Sequence, residues 1–89
     1  MPSEQVRVPG QSSVTVRYWA GARAAAGTEQ DVLTGGTVGE AVAAATALHP
    51  ALEPVAAVST LLLDGRAVTR EAALTDGAVL EILPPFAGG

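Results

Sequence analysis

Hydrophobic positions along this chain change period several times, and each change marks an element. Val14-Thr15-Val16-Arg17-Tyr18-Trp19 alternates, with Val14, Val16 and Tyr18 on one side and Thr15, Arg17 and Trp19 on the other, the signature of a strand with one buried face. Trp19 sits on the polar side, where a large ring either forms a contact surface or folds against a neighbouring helix or loop. Ala20 to Ala26 is Ala-rich and closed by Gly27, which suits a short turn of helix or a wide loop ending at a left-handed glycine. Glu29 to Leu33 offers a short second strand, most economically a hairpin partner of the first.

The period then becomes helical. Thr37 followed by Glu40 fits a capping box, and Val38, Ala41, Val42, Ala45 and Leu48 recur at three- and four-residue spacing. One helix is predicted from Val38 to about His49, stopped by Pro50 and Pro54, with at most a short turn over Ala51 to Glu53. Gly39 costs about 1 kcal/mol there relative to Ala; either another segment approaches it closely or its presence is chance.

Val58 to Leu63 is a continuous apolar run ending at Asp64-Gly65, a strand entering a tight turn. Arg66 to Val68 returns, Glu71 to Leu74 is a loop or single turn, Asp76-Gly77 is another tight turn, and Ala78 to Leu83 is the last strand, broken by Pro84. The predicted fold is therefore α+β, a mixed sheet of about four to five strands with one main helix packed on it, the β-grasp arrangement. Its first and last strands commonly lie side by side and parallel. Such pairing would bring Trp19 close to Ile82 and Leu83 and, with Phe86, form an apolar patch where the chain leaves the sheet. Residues 14–83 form the domain. Residues 1–13, in which Val6 and Val8 are the only apolar residues after Met1, read as a flexible extension, and 84–89 as a flexible tail.

Composition narrows the function. Eighty-nine residues make one domain that buries about 60% of its unfolded surface, too little for a two-lobed enzyme with a deep cleft. The net charge is −4, with nine acidic residues against five arginines and no lysine, so the cationic surface that nucleic-acid binding needs is missing. A chain without lysine can modify other proteins but cannot build lysine-linked chains of itself. With no cysteine there is no thiolate nucleophile, disulfide or cysteine metal site. His49, the one histidine, suits the C-terminal end of a helix dipole better than a metal, and no metal is expected. No basic and apolar leader or membrane-length run is present, so a cytoplasmic location away from membranes is the default.

The candidate chemistry lies in Pro84-Pro85-Phe86-Ala87-Gly88-Gly89. Gly88 and Gly89 lack Cβ atoms and can pass through a slot too narrow for other residues, and the prolines favour an extended approach. Six extended residues reach roughly 20 Å, far enough to place Gly89 in another protein's active site. Gly-rich ends are commonly floppy, so the diglycine gains weight from the body that precedes it.

Three segments carry a resemblance to a known family: Val16 to Arg23 with Gly27, Leu63-Asp64-Gly65, and above all Leu74-Thr75-Asp76-Gly77 through Ile82-Leu83-Pro84-Pro85-Phe86-Ala87-Gly88-Gly89. Over residues 14–89 the chain resembles the MoaD/ThiS family of ubiquitin-like sulfur carriers, and most of all its molybdopterin synthase small-subunit branch. The resemblance implies a carrier with no active site of its own and no bound cofactor. An E1-like enzyme would use ATP to adenylate Gly89, sulfur would replace AMP to leave a thiocarboxylate, and the tail would enter a large subunit or other acceptor synthase. Ala87 and Gly88 would be the part of the tail that passes through the partner's narrow slot. Trp19, Ile82, Leu83, Pro84, Pro85 and Phe86 would press against partners. Carriers for thiamine thiazole, cysteine or sulfur-containing secondary metabolites share the fold and the diglycine, and a ubiquitin-like modifier would use the same activated end on a lysine of another protein.

Overall fold

A computed structural model describes residues 10–85. The strands are β1 (Ser12–Tyr18), β2 (Gln30–Gly35), β3 (Thr60–Leu63), β4 (Arg66–Val68) and β5 (Val79–Leu83). The helices are α1 (Ala20–Ala26), α2 (Val38–Leu48) and α3 (Glu53–Ala57), with a 3-10 turn at Pro50–Leu52. One five-stranded sheet runs in the order β2-β1-β5-β3-β4. β1 and β5 are parallel, and the other neighbouring pairs are antiparallel. This is the mixed α+β sheet that the periodicity predicts, with its first and last strands adjacent.

Alternation decides what is buried. Val14, Val16 and Tyr18 of β1, Leu80 and Ile82 of β5 and Leu61 of β3 meet Val38, Ala41, Val42 and Ala45 of α2 in one core. The small alanines let the helix lie close to the sheet. Leu48, which the helical spacing places on the apolar stripe, is instead 55% exposed. The chain turns at His49, and the buried leucine at this end is Leu52 of the 3-10 turn.

The start of α2 shows how donors without helical partners are satisfied. Glu40 N donates to Thr37 Oγ1 at 3.2 Å, while Glu40 Oε1 accepts from Gly36 N at 2.6 Å, so the reciprocal half of the capping box reaches one residue further out. Val38 N donates to Ala72 O and Gly39 N to Arg70 O, both at 2.9 Å. Gly39 is thus explained by close approach: a Cβ there would stand 3.2 Å from the Arg70 carbonyl oxygen. The neighbour is the loop after β4.

Several element boundaries differ from the sequence pattern. The segment expected to make at most a short turn after α2 instead forms the 3-10 turn and then α3. α3 accommodates Pro54 in its first turn, where a proline's missing N–H has no helical partner to lose. β1 begins at Ser12, so the sheet includes two residues assigned to the extension. Serines give no apolar signal; Ser13 is held by Asp76 Oδ1, which accepts from Ser13 N at 2.8 Å, and by Gly77 N, which donates to Ser13 O. β3 begins at Thr60 because Val58 and Ser59 close the end of α3. The turn to β4 has φ values of 50° at Asp64 and 86° at Gly65, the paired positive φ of a tight hairpin turn.

Candidate functional site

The parallel register pairs Thr15 with Val79, Val16 with Leu80, Arg17 with Glu81 and Tyr18 with Ile82. Trp19 N continues the ladder by donating to Ile82 O at 3.2 Å. Trp19 therefore lies beside Leu83, at the point where the chain leaves β5 for Pro84. Because sheet faces alternate, Trp19, Arg17, Glu81 and Leu83 share the face opposite the core. Trp19 is 36% exposed, and Leu83 is half-buried.

The indole on this face is held in place. Trp19 Nε1 donates to Glu81 Oε2 at 3.0 Å, and the guanidinium carbon of Arg17 lies 5.1 Å from the ring centroid, within cation–π range. Trp19 lies exposed on a sheet face rather than folded under a helix. The polar residues around it were not singled out by sequence reasoning. Arg17 could have been found from its i, i+2 spacing to Trp19, but Glu81 depends on the parallel register across 62 residues of chain.

Four other predicted contact residues divide. Ile82 is fully buried and Pro84 is also buried, so neither belongs to the docking surface assigned to it. Ile82 points with Leu80 toward the helices, because alternate residues of β5 face opposite ways. Leu83 and Pro85 remain available at the surface. Phe86, Ala87, Gly88 and Gly89, which carry the predicted tail contact, tail passage and reactive end, lie outside the described residues.

The core side of the same strand end carries a second polar group of side chains. Tyr18 Oη donates to Asp31 Oδ2 at 2.9 Å, and His49 Nε2 lies 2.8 Å from that oxygen. The Tyr18 and His49 rings meet edge to face, with centroids 5.8 Å apart. Burial, then the hydrogen bond to Asp31 and its charge, push the Tyr18 phenol well above its ordinary range. His49, predicted near the end of the helix, is its C-cap and is tied to β2.

The grooves of the described body lie elsewhere. One of about 490 Å³ runs along β3 and β4 and is lined by residues including Ser59, Leu61, Val68 and Arg70. Another of about 340 Å³ lies between α2 and α3. Among the described residues no three His, Asp or Glu side chains group as metal ligands. No helix among them is long and apolar enough to cross a membrane.

Comparison with known proteins extends this picture. The family model described as ThiS matches residues 16–89. Small archaeal modifier protein 1 from Methanosarcina acetivorans is similar at 28% identity and a TM-score of 0.81, over 89% of this chain and 98% of that one. A protein from Pyrococcus furiosus assigned as molybdopterin converting factor subunit 1 is similar at 25% identity and a TM-score of 0.74, over 83% of this chain and 98% of that one. A complex of subunits 1 and 2 of molybdopterin-converting factor from Helicobacter pylori contains a chain similar at 22% identity and a TM-score of 0.66, over 86% of this chain and 99% of that one; that likeness speaks for the fold. No curated protein matches closely enough to count as a relative.

Proposed function

The chain belongs to the ThiS family, and from that premise we infer that it is a sulfur carrier whose Gly89 carboxylate is the loading point. The observation that carries this reading is the family match running through Gly89, together with the exit of the chain from β5 beside the exposed Trp19 and the half-buried Leu83.

A free carboxylate is a poor acyl donor because its leaving group would be oxide. Attack of the Gly89 carboxylate on the α-phosphate of ATP, in the site of an E1-like enzyme, releases pyrophosphate and leaves AMP as a good leaving group on the acyl carbon. The terminal sulfur of a persulfide then displaces AMP to form an acyl disulfide. A second thiol takes the donor's sulfur as a disulfide and leaves the thiocarboxylate. ATP serves the partner enzyme and is not bound by this chain. The carrier supplies the reactive end and the surface that docks it; Trp19 and Leu83 are the anchors available for that docking.

Molybdopterin synthesis is the pathway this reading favours, with a large synthase subunit receiving the tail. Similarity to the Pyrococcus furiosus protein and the Pro84-Pro85 pair ahead of the diglycine support it. The experiment is intact mass spectrometry after incubation with the E1-like enzyme, ATP and a persulfide donor. A gain of about 16 Da, one oxygen exchanged for sulfur, is the expected result, and an unchanged mass with a competent enzyme refutes the reading.

A second reading has its own support in the 28% identity to an archaeal small modifier protein. There the Gly89 acyl adenylate ends on a lysine amine of another protein, with AMP leaving. Denaturant-resistant adducts that depend on ATP and on Gly89 distinguish it from sulfur transfer.

A further inference from the structure

We propose that Arg17 and Glu81 are positioning residues that hold Trp19 in its docking orientation before any partner arrives. The proposal rests on the docking reading above and goes beyond it, because it assigns a role to two charged side chains on the exposed face.

Three observations converge. Arg17 and Glu81 are direct partners across the parallel β1–β5 ladder, so their side chains emerge together on the face that carries Trp19. Glu81 Oε2 accepts the indole N–H at 3.0 Å, and the Arg17 guanidinium sits 5.1 Å from the ring centroid. The indole is therefore held at its polar edge by one residue and covered by the other, while 36% of Trp19 remains open to solvent. An exposed Trp on a bare sheet face would sample several rotamers, and fixing one of them on binding costs affinity. Here one orientation is selected in the free chain. Both charges share the face of the ring, so a partner that seats Trp19 must also accommodate a cation over the ring and an anion at its N–H edge.

Backbone geometry strengthens the case. Trp19 is the N-cap of α1 at φ −115°, and the next residue, Ala20, has φ 48°. The main chain turns sharply just after Trp19, and the indole reaches Glu81 of β5. Adjacent, on the other face, Tyr18 is fixed by Asp31. The strand end is thus braced on both sides.

Trp19 is the single tryptophan of the chain, so its fluorescence reports this site alone. In the free full-length protein, Glu81→Leu and Arg17→Met are expected to speed the decay of Trp19 anisotropy, while Glu81→Gln, whose amide oxygen still accepts the indole N–H, restores the wild-type decay. In ATP–pyrophosphate exchange with the E1-like enzyme, Glu81→Leu and Arg17→Met are expected to raise KM for the chain about threefold to tenfold, the scale of one newly mobile side chain, with kcat unchanged. In a Trp19→Phe background, which has no indole N–H, Glu81→Leu should have no further effect on KM.

Unchanged anisotropy in both charge variants overturns the proposal, as does an equal KM effect of Glu81→Leu with and without the indole. The docking reading fails separately: Trp19→Ala that leaves KM unchanged, or a wild-type chain that supports no exchange, removes it, while the anisotropy of the free chain still decides whether Arg17 and Glu81 hold the ring.

Discussion

The phenol of Tyr18 and the imidazole of His49 converge on a single oxygen of Asp31, at 2.9 and 2.8 Å. Both must donate to it, which specifies a hydrogen on His49 Nε2 in the neutral as well as the protonated ring. The arrangement joins β1, β2 and the end of α2 on the core side of the sheet, opposite the face that carries Trp19. It also gives the molecule a direct response to alkali. The folded state holds the Tyr18 proton more tightly than the unfolded chain, whose phenol titrates near pH 10. Stability from this group is fully present below about pH 10 and is lost as pH rises above it.

Tyr18 is the only tyrosine, so its phenolate absorption band can be followed without interference. The band is expected to appear together with the loss of helical circular dichroism, not before it. Tyr18→Phe should lower stability at neutral pH by about 1.5–3 kcal/mol, the scale of a hydrogen bond to a charged acceptor, and flatten the decline between pH 10 and higher values. Urea unfolding across that range measures both.

Ala20 is one of two non-glycine residues with positive φ among those described, at 48°. A left-handed alanine costs about 1–2 kcal/mol, most of which a glycine avoids. Ala20→Gly should therefore leave the melting temperature unchanged or raise it, whereas Ala20→Val, whose branched side chain tolerates this region least, should lower stability by more than 1 kcal/mol. Thermal unfolding of the two variants against the wild type reads the sign.

Thr37 caps α2 through its hydroxyl, and Glu40 secures the preceding turn. Thr37→Ala should cost about 1 kcal/mol and Thr37→Ser a few tenths or less. Denaturant midpoints with an unchanged m-value would attribute the loss to the cap rather than to a looser denatured state.

On the sulfur-carrier reading, Gly88→Val should abolish loading of Gly89 without changing the unfolding midpoint of the body, because the added branches would obstruct a slot narrow enough to admit only glycine. The measurements are the mass gain on loading and a melt of the same sample. A fully loaded Gly88→Val chain would argue against a narrow slot in the activating enzyme.

Local geometry made much of this protein legible in its residues. The alternation of Val14, Val16 and Tyr18, the Thr37-to-Glu40 cap, the three- and four-residue spacing of α2 and the Asp64-Gly65 turn all depend on backbone period and on contacts a few residues apart, and each appears where expected. The chemistry proposed for Pro84 to Gly89 was read from residue type alone, and Phe86 to Gly89 lie outside the described residues. Other features required the assembled sheet. The parallel register of β1 on β5, set when the core faces of the two strands complete one another, is what brings Trp19 to Glu81. The same closure places Tyr18, Asp31 and His49 around one oxygen. Sequence determines which side chains alternate and what they can donate or accept; which of them meet across 62 residues is decided by the burial of one shared apolar face, a property of the folded chain as a whole.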